Sequence, residues 1–275
     1  MTDITPYLDL IHYDGTLVPS SRTLYQLHLR HTHTIPFENL SPLTGEEVRL
    51  DIPSLLEKFT VRNRGGYCFE HNTVFQHVLQ QLGFKTVNLA ARVRLNESDE
   101  VITPRSHMLL LVEADGQQWV ADTGFGGMSL PVPIRFSVDE IQDTPHGQYR
   151  LGFDSGIYRL EARIKDEWKV LYIFDLAAHY PPDYEVYNWH VSRHPSSYFV
   201  TDLVAARAAK EGRHVLHDTQ YSFYSLAGEV EKRQLHSVNE IKELLENTFR
   251  IRTDGVPGLD ARLDALLAAG KNSNL

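Results

Sequence analysis

The sequence predicts a multi-part α+β protein. A helical bundle is expected over residues 1–83, an antiparallel sheet or small β-barrel over 84–190, and a mixed α/β region over 191–275. Three observations predict this order. Apolar residues recur at three-to-four spacing up to Gly83; short alternating, β-rich segments separated by turn residues follow; both patterns mix after His194-Pro195.

In the first part, Ser20 or Ser21 caps a helix through Leu24, Leu27 and His31, and Pro36 stops it. Asp51 caps a second helix with Pro53 in its first turn and Leu55, Leu56 and Phe59 in an apolar stripe. A third follows Cys68: residues 71–82 place Val74, Phe75, Val78, Leu79 and Leu82 on one side, and Gly83 fits the C-terminal cap. Strands are expected over 86–95, 107–114, 117–122, 149–153, 156–164 and 167–174. Farther on, the Ala-rich stretch 202–211 reads as a helix, and 220–226 with 229–235 as a hairpin about Ala227-Gly228. Residues 239–249 form a helix presenting Ile241, Leu244, Leu245 and Phe249, and 260–269 a short terminal helix.

The chain has 275 residues, 42% of them hydrophobic and 23% charged, enough for a substantial core. A net charge of −9 argues against nucleic acid or an acidic membrane surface as the main partner. One cysteine allows neither an intrachain disulfide nor a Cys-based zinc site, and no metal is expected. The first residues lack a basic segment followed by an apolar one, and no run of about 18 apolar residues occurs. A cytoplasmic location is expected.

The solitary cysteine is the centre of interest. It stands in Arg64-Gly65-Gly66-Tyr67-Cys68-Phe69-Glu70, at the start of the third helix, where backbone N–H groups and the helix dipole favour a thiolate. Such a residue is a candidate nucleophile and requires a base, which in turn requires a group to orient it. A single buried Cys is more often an inert small hydrophobe, so the rest of the constellation decides.

Asp115-Gly116 is a strong two-residue type I′ hairpin signal. With Ala114 facing Gln117, Asp122 falls opposite Leu109 and His107 opposite Gly124. His107 and Asp122 then share a face as diagonal neighbours, with Cβ atoms about 7–8 Å apart or less. Met108, Leu110, Val112 and Trp119 take the other face. The hairpin thus supplies a base and its orienter, while the approach of Cys68 to His107 is a tertiary matter outside its reach.

Gly124-Phe125-Gly126-Gly127 directly follows, a stretch that permits close backbone approach to a ligand; no Gly-Lys-Ser/Thr follows to make it a Walker loop. Phe37, in Pro36-Phe37-Glu38-Asn39-Leu40, reads as core more readily than as a pocket wall. Arg64 and Glu38 are candidates for a buried ion pair.

With these residues in place, the chain resembles the arylamine N-acetyltransferases. The resemblance rests on Ile35 to Leu40, Arg64 to Glu70, Ala91-Arg92-Val93, Pro104 to Met108 and Asp122 to Gly127. Weaker similarity runs through Ser192 to Pro195 and Leu203 to Arg207 into the C-terminal helix. The resemblance implies a helical bundle, a β-barrel and an α/β lid, and a Cys-His-Asp triad of Cys68, His107 and Asp122. It implies acetyl-CoA as co-substrate and an arylamine or arylhydrazine as acceptor, with no oligomeric state assigned. It places Phe37 and Phe125 in the acceptor pocket, beside Gly124, Gly126 and Gly127, against the core reading of Phe37. Two departures are Thr123, where the family often has Val, and Asn188-Trp189-His190-Val191, which bears on the shape of the CoA cleft. Other readings of the same residues are an amide synthase closing a macrolactam, a thiol acyl hydrolase, and a non-catalytic binding protein.

Overall fold

The structure, a computed structural model, describes residues 2–98 and 100–272. Its N-terminal part comprises α1 (Thr5–Leu10), α2 (Ser21–Thr34), β1 (Phe37–Glu38), α3 (Leu40–Thr44), α4 (Ile52–Thr60) and α5 (Cys68–Gln81). The expected caps are present: the Ser20 hydroxyl accepts the Thr23 N–H at 3.2 Å, and Asp51 accepts that of Ser54 at 3.1 Å. Glu70 reaches back to the Tyr67 N–H at 3.0 Å, closing the start of α5. Gly83, at φ +88°, turns the chain after it. Val74, Phe75, Val78 and Leu79 bury the apolar face of α5 among Leu24, Leu27, Leu55 and Phe59, each contributing about 1.5–3 kcal/mol of transfer free energy.

An eight-stranded antiparallel sheet follows: β2 (Lys85–Val93), β3 (Arg105–Ala114), β4 (Gln117–Ala121), β5 (Ile134–Arg135), β6 (Gln142–Thr144), β7 (Gly147–Asp154), β8 (Ile157–Ile164) and β9 (Glu167–Phe174). Its order, β5-β4-β3-β2-β9-β8-β7-β6, curls into a nearly closed barrel. The end strands meet through a side chain: the Gln142 amide donates to Arg135 O at 2.9 Å and accepts the Arg135 N–H at 2.7 Å, standing in for a ladder pair. Asp115 and Gly116 both have positive φ, the type I′ geometry, and Ala114 pairs with Gln117 as expected. Leu109, Leu111 and Val120 point into the barrel; Met108, Leu110, Val112 and Ala121 join the bundle core.

The last part holds α6 (Pro181–Arg193), α7 (Tyr198–Thr201), β10 (Val204–Ala209), β11 (Gly212–His217), β12 (Gln220–Ser225), β13 (Val230–Gln234), α8 (Val238–Asn247) and α9 (Leu259–Asn272). Residues 204–209 are therefore a strand, correcting the helix expected over 202–211. Alanine's helical preference is worth at most about 0.7 kcal/mol per residue. Here it yields to two ladders, because β10 lies between β1 and β11 in the sheet β1-β10-β11-β12-β13. The predicted hairpin appears as β12 paired with β13. Residues 181–193, which the strand pattern passed over, form a helix with Pro at its first positions and Asp183 accepting the Tyr180 N–H at 2.8 Å.

A buried charge network ties the segments of the N-terminal part together. Arg64 grips Glu38 with two hydrogen bonds of 2.8 and 3.0 Å, and Lys58 donates to Glu70 at 2.6 Å. Glu38 also accepts the Leu40 N–H at 2.6 Å. Burial alone would raise the Glu38 carboxyl; Arg64 and Lys58 hold it below the ordinary carboxylate value. Glu38→Gln strands the Arg64 charge in the interior and should destabilise the fold by about 3–5 kcal/mol, read as a lowered urea midpoint. A midpoint unchanged from wild type would show the pair to be dispensable.

Candidate active site

Cys68 is the first residue of α5 and only 5% exposed. Its Sγ lies 3.5 Å from Ser106 O, at the start of β3, which brings the thiol beside the His107 imidazole. His107 Nε2 is 2.7 Å from Asp122 Oδ2, which leaves Nδ1 for the sulfur. The shared face derived from the hairpin is present, and the barrel interior carries it. Burial would push His107 down; the Asp122 carboxylate, by charge and hydrogen bond, and Cys68 lift it to about 10. Burial would likewise raise Asp122, but His107, Asn72 and the Gly124 N–H hold it below its ordinary value.

Three residues that the sequence did not single out fix this arrangement. Asn72, one turn along α5 from Cys68, donates to Met108 O at 2.8 Å and to Asp122 Oδ1 at 3.0 Å. Its own oxygen accepts from the Thr123 N–H at 3.0 Å and the Thr123 hydroxyl at 3.2 Å, so the Thr departure adds a hydrogen bond to the site. Its i+4 spacing from Cys68 was the available signal. His28, on α2, accepts the Asp122 N–H on Nε2 at 3.1 Å, with Nδ1 3.3 Å from Pro131 O; burial pushes it down to about 4, so it stays neutral. Tyr172, on β9, is fully buried with its ring centroid 4.8 Å from that of His107. No local pattern points to either residue.

A cavity of about 1480 Å³ opens over the thiol, and Phe37, Phe125, Gly124, Gly126 and Gly127 all line it. Phe125 meets the His107 ring edge-on at 5.1 Å. Phe37 belongs to the bundle core and also faces the cavity. The glycines differ in what they permit. A Cβ on Gly124 would stand 2.7 Å from Cys68 Cα, so its bareness serves the approach of α5 to the barrel; Gly126, at φ +85°, lies under the Phe37 ring. In the 188–191 stretch, Asn188 turns away to the Tyr67 hydroxyl and Val48 O, while His190 and Val191 line the cavity.

Residues 21–256 match the family model described as N-acetyltransferase. The chain is 38% identical to the arylamine N-acetyltransferase of Escherichia coli K12, over 90% of this chain and 88% of that one. It is 35% identical to the arylamine N-acetyltransferase / N-hydroxyarylamine O-acetyltransferase of Salmonella typhimurium, over 96% and 94%. The chain belongs to the arylamine N-acetyltransferase family. The solved Mycobacterium marinum arylamine N-acetyltransferase superposes with a TM-score of 0.93 at 36% identity, covering 96% of this chain and all of that one. A second M. marinum structure, in complex with CoA, gives 0.93 at 35%, covering 96% and 99%. The expected fold is thereby established, and acetyl-CoA is the co-substrate of this family. Among the described residues, no helix is long and apolar enough to cross a membrane.

Two outcomes test the geometry. Gly124→Ala should leave the protein folded but slow alkylation of Cys68 by iodoacetamide about 10-fold or more, since a Cβ there must displace α5; undiminished labelling would show that the approach is looser than described. The buried His107–Asp122 pair should also shape stability against pH. His107 is raised from 6.5 to about 10, so its contribution is full below pH 6.5 and is lost as pH rises towards 10. Asp122 is lowered from 3.8, so its contribution is lost only in acid below that value. The stability difference between wild type and Asp122→Asn, from urea titrations, should be largest between these limits and fade by about pH 10. A difference independent of pH would contradict the pairing.

Proposed function

We propose that the chain transfers an acetyl group from acetyl-CoA to the nitrogen of an arylamine or arylhydrazine in two half-reactions through an acetyl-Cys68 thioester. The observation that carries this reading is a buried thiol at a helix N-terminus, beside a histidine that a buried carboxylate fixes, under a cavity walled by Phe37 and Phe125.

In the first half-reaction, the Cys68 proton passes to His107 Nδ1 and the thiolate attacks the acetyl carbonyl carbon of acetyl-CoA. The Cys68 backbone N–H, at the helix N-terminus, meets the developing oxyanion. The C–S bond to CoA breaks, and the leaving thiolate takes the proton from His107. In the second, the amine enters against Phe37 and Phe125 and attacks the acetyl-Cys68 carbonyl. His107 removes the amine proton, the tetrahedral adduct collapses to the amide, and Cys68 is released. Asp122 holds the ring tautomer and balances its charge. One cavity serving one thiol favours donor and acceptor in turn, which is ping-pong kinetics.

Brief mixing with acetyl-CoA should add one acetyl group to the intact protein, located on Cys68 by peptide mass spectrometry. An arylamine such as 4-aminobenzoate should remove it as the N-acetylated product, and Cys68→Ala should fold but gain no mass. Acetylation at another residue, or initial rates fitting a ternary complex, would overturn the scheme.

A further inference from the structure

Helix α5 carries another buried polar side chain beside Asn72, and it reaches away from the barrel. His71 is fully buried, with Nε2 at 3.1 Å from both Pro36 O and Gly66 O. Carbonyl oxygens only accept, so Nε2 carries the proton. Nδ1 lies 2.7 Å from His31 Nε2, and His31 Nδ1 is 2.8 Å from the Tyr7 hydroxyl. With His71 neutral, its Nδ1 accepts from His31, and His31 accepts from Tyr7. One proton arrangement satisfies this row, with each hydrogen pointing from Tyr7 towards the two carbonyls. Burial pushes His71 down to about 4 and His31 well below its ordinary value, so both rings stay neutral near pH 7.

The two carbonyls belong to different walls of the site. Pro36 O leads into Phe37, whose ring lies nearly parallel to that of His71 at 6.4 Å between centroids. Gly66 O leads into the Tyr67-Cys68 turn. The packing between them is tight: a Cβ on Gly65 would stand 1.8 Å from Pro36 O. The Cys68 side has independent support, since Glu70 binds the Tyr67 N–H and Gly66 O also accepts the Glu38 N–H at 2.8 Å. The Phe37 backbone is held between Ala206 of β10 and Gly66, while its ring lies alongside that of His71.

We propose that His71 is a positioning residue for the amine-accepting half-reaction, setting the gap between the Phe37 wall and the Cys68 turn through the single tautomer that His31 and Tyr7 impose. This rests on the acetyl-transfer reading above. The tautomer requirement makes glutamine the informative replacement: its amide donates two hydrogens and its oxygen can accept from His31, whereas leucine fills space and does neither.

The test combines single-turnover kinetics with imidazole ¹⁵N NMR. In His71→Leu, transfer from acetyl-Cys68 to 4-aminobenzoate should fall about 10- to 100-fold, as expected for a displaced substrate wall, while acetylation of Cys68 by acetyl-CoA changes only a few-fold. His71→Gln should restore most of the loss. In the wild type, His71 should show a protonated Nε2 and a bare Nδ1 at pH 7. Equal losses in both half-reactions, a Gln variant as impaired as Leu, or an Nδ1–H or imidazolium signature would each overturn the proposal. Should the Leu variant fail to fold, the Gln variant and the wild-type spectrum decide. Failure of wild-type Cys68 to acetylate would instead strike the functional reading, and the tautomer would still be read separately.

Discussion

How closely α5 can approach the β3–β4 hairpin governs the site. Cys68 rides on the helix, whereas His107 and Asp122 belong to the barrel, so their encounter is a matter of docking two separately built units. Two features set the distance. Gly124 has no Cβ where Cys68 Cα comes to rest, and Asn72 spans the junction with both amide hydrogens and two contacts to its oxygen in use. A buried amide satisfied this completely resists sliding, because any shift leaves polar groups unpaired in a dry interior. The junction is therefore specific as well as tight, which a contact between apolar faces alone would not ensure.

The same logic extends to the charges. His107 and Asp122 sit inside the barrel, and Lys58, Glu70, Glu38 and Arg64 sit inside the bundle, each carboxylate beside a basic group and in contact with a backbone or amide N–H. Buried pairs add little net stability over apolar packing, yet breaking one is expensive. Their consequence here is geometric: Glu38 and Glu70 both reach backbone N–H groups beside the functional residues, so the network fixes main chain as well as balancing charge.

What the sequence made legible follows from the range of each rule. The Asp115-Gly116 turn fixes register over the hairpin it joins, so the placement of His107 and Asp122 on one face could be derived and matches the paired strands. Helix caps at Ser20, Asp51 and Gly83 act within one turn and were equally readable. Sequence rules of this range stop at the element's edge. Residues 204–209 depart from the helix expected there because an alanine run states only a local preference, and the ladders from β1 and β11 are tertiary. Glycines 124 to 127 were legible as a place of close approach, but not that Gly124 admits the helix while Gly126 admits the Phe37 ring. His28 reaches Asp122 from α2 and Tyr172 packs against His107 from β9, distant segments that only the folded chain brings together.

The segment Pro36 to Leu40 shows why so short a stretch carries so much of the site. Pro36 O meets His71, Phe37 faces the cavity, and Glu38 binds Arg64. Asn39 donates to Phe199 O and Asp202 O and accepts the Val204 N–H, and Leu40 enters the core shared with α8 and α9. Phe37 itself pairs with Ala206 of β10 on one side and bridges Gly66 on the other. The two-residue strand β1 is thus both the edge of the lid sheet and a neighbour of the Cys68 turn. Any displacement of the lid sheet must therefore either carry the Phe37 backbone with it or break the ladder to β10. The position of the aromatic wall is thereby coupled to the seating of the sheet whose residues line the other side of the cavity.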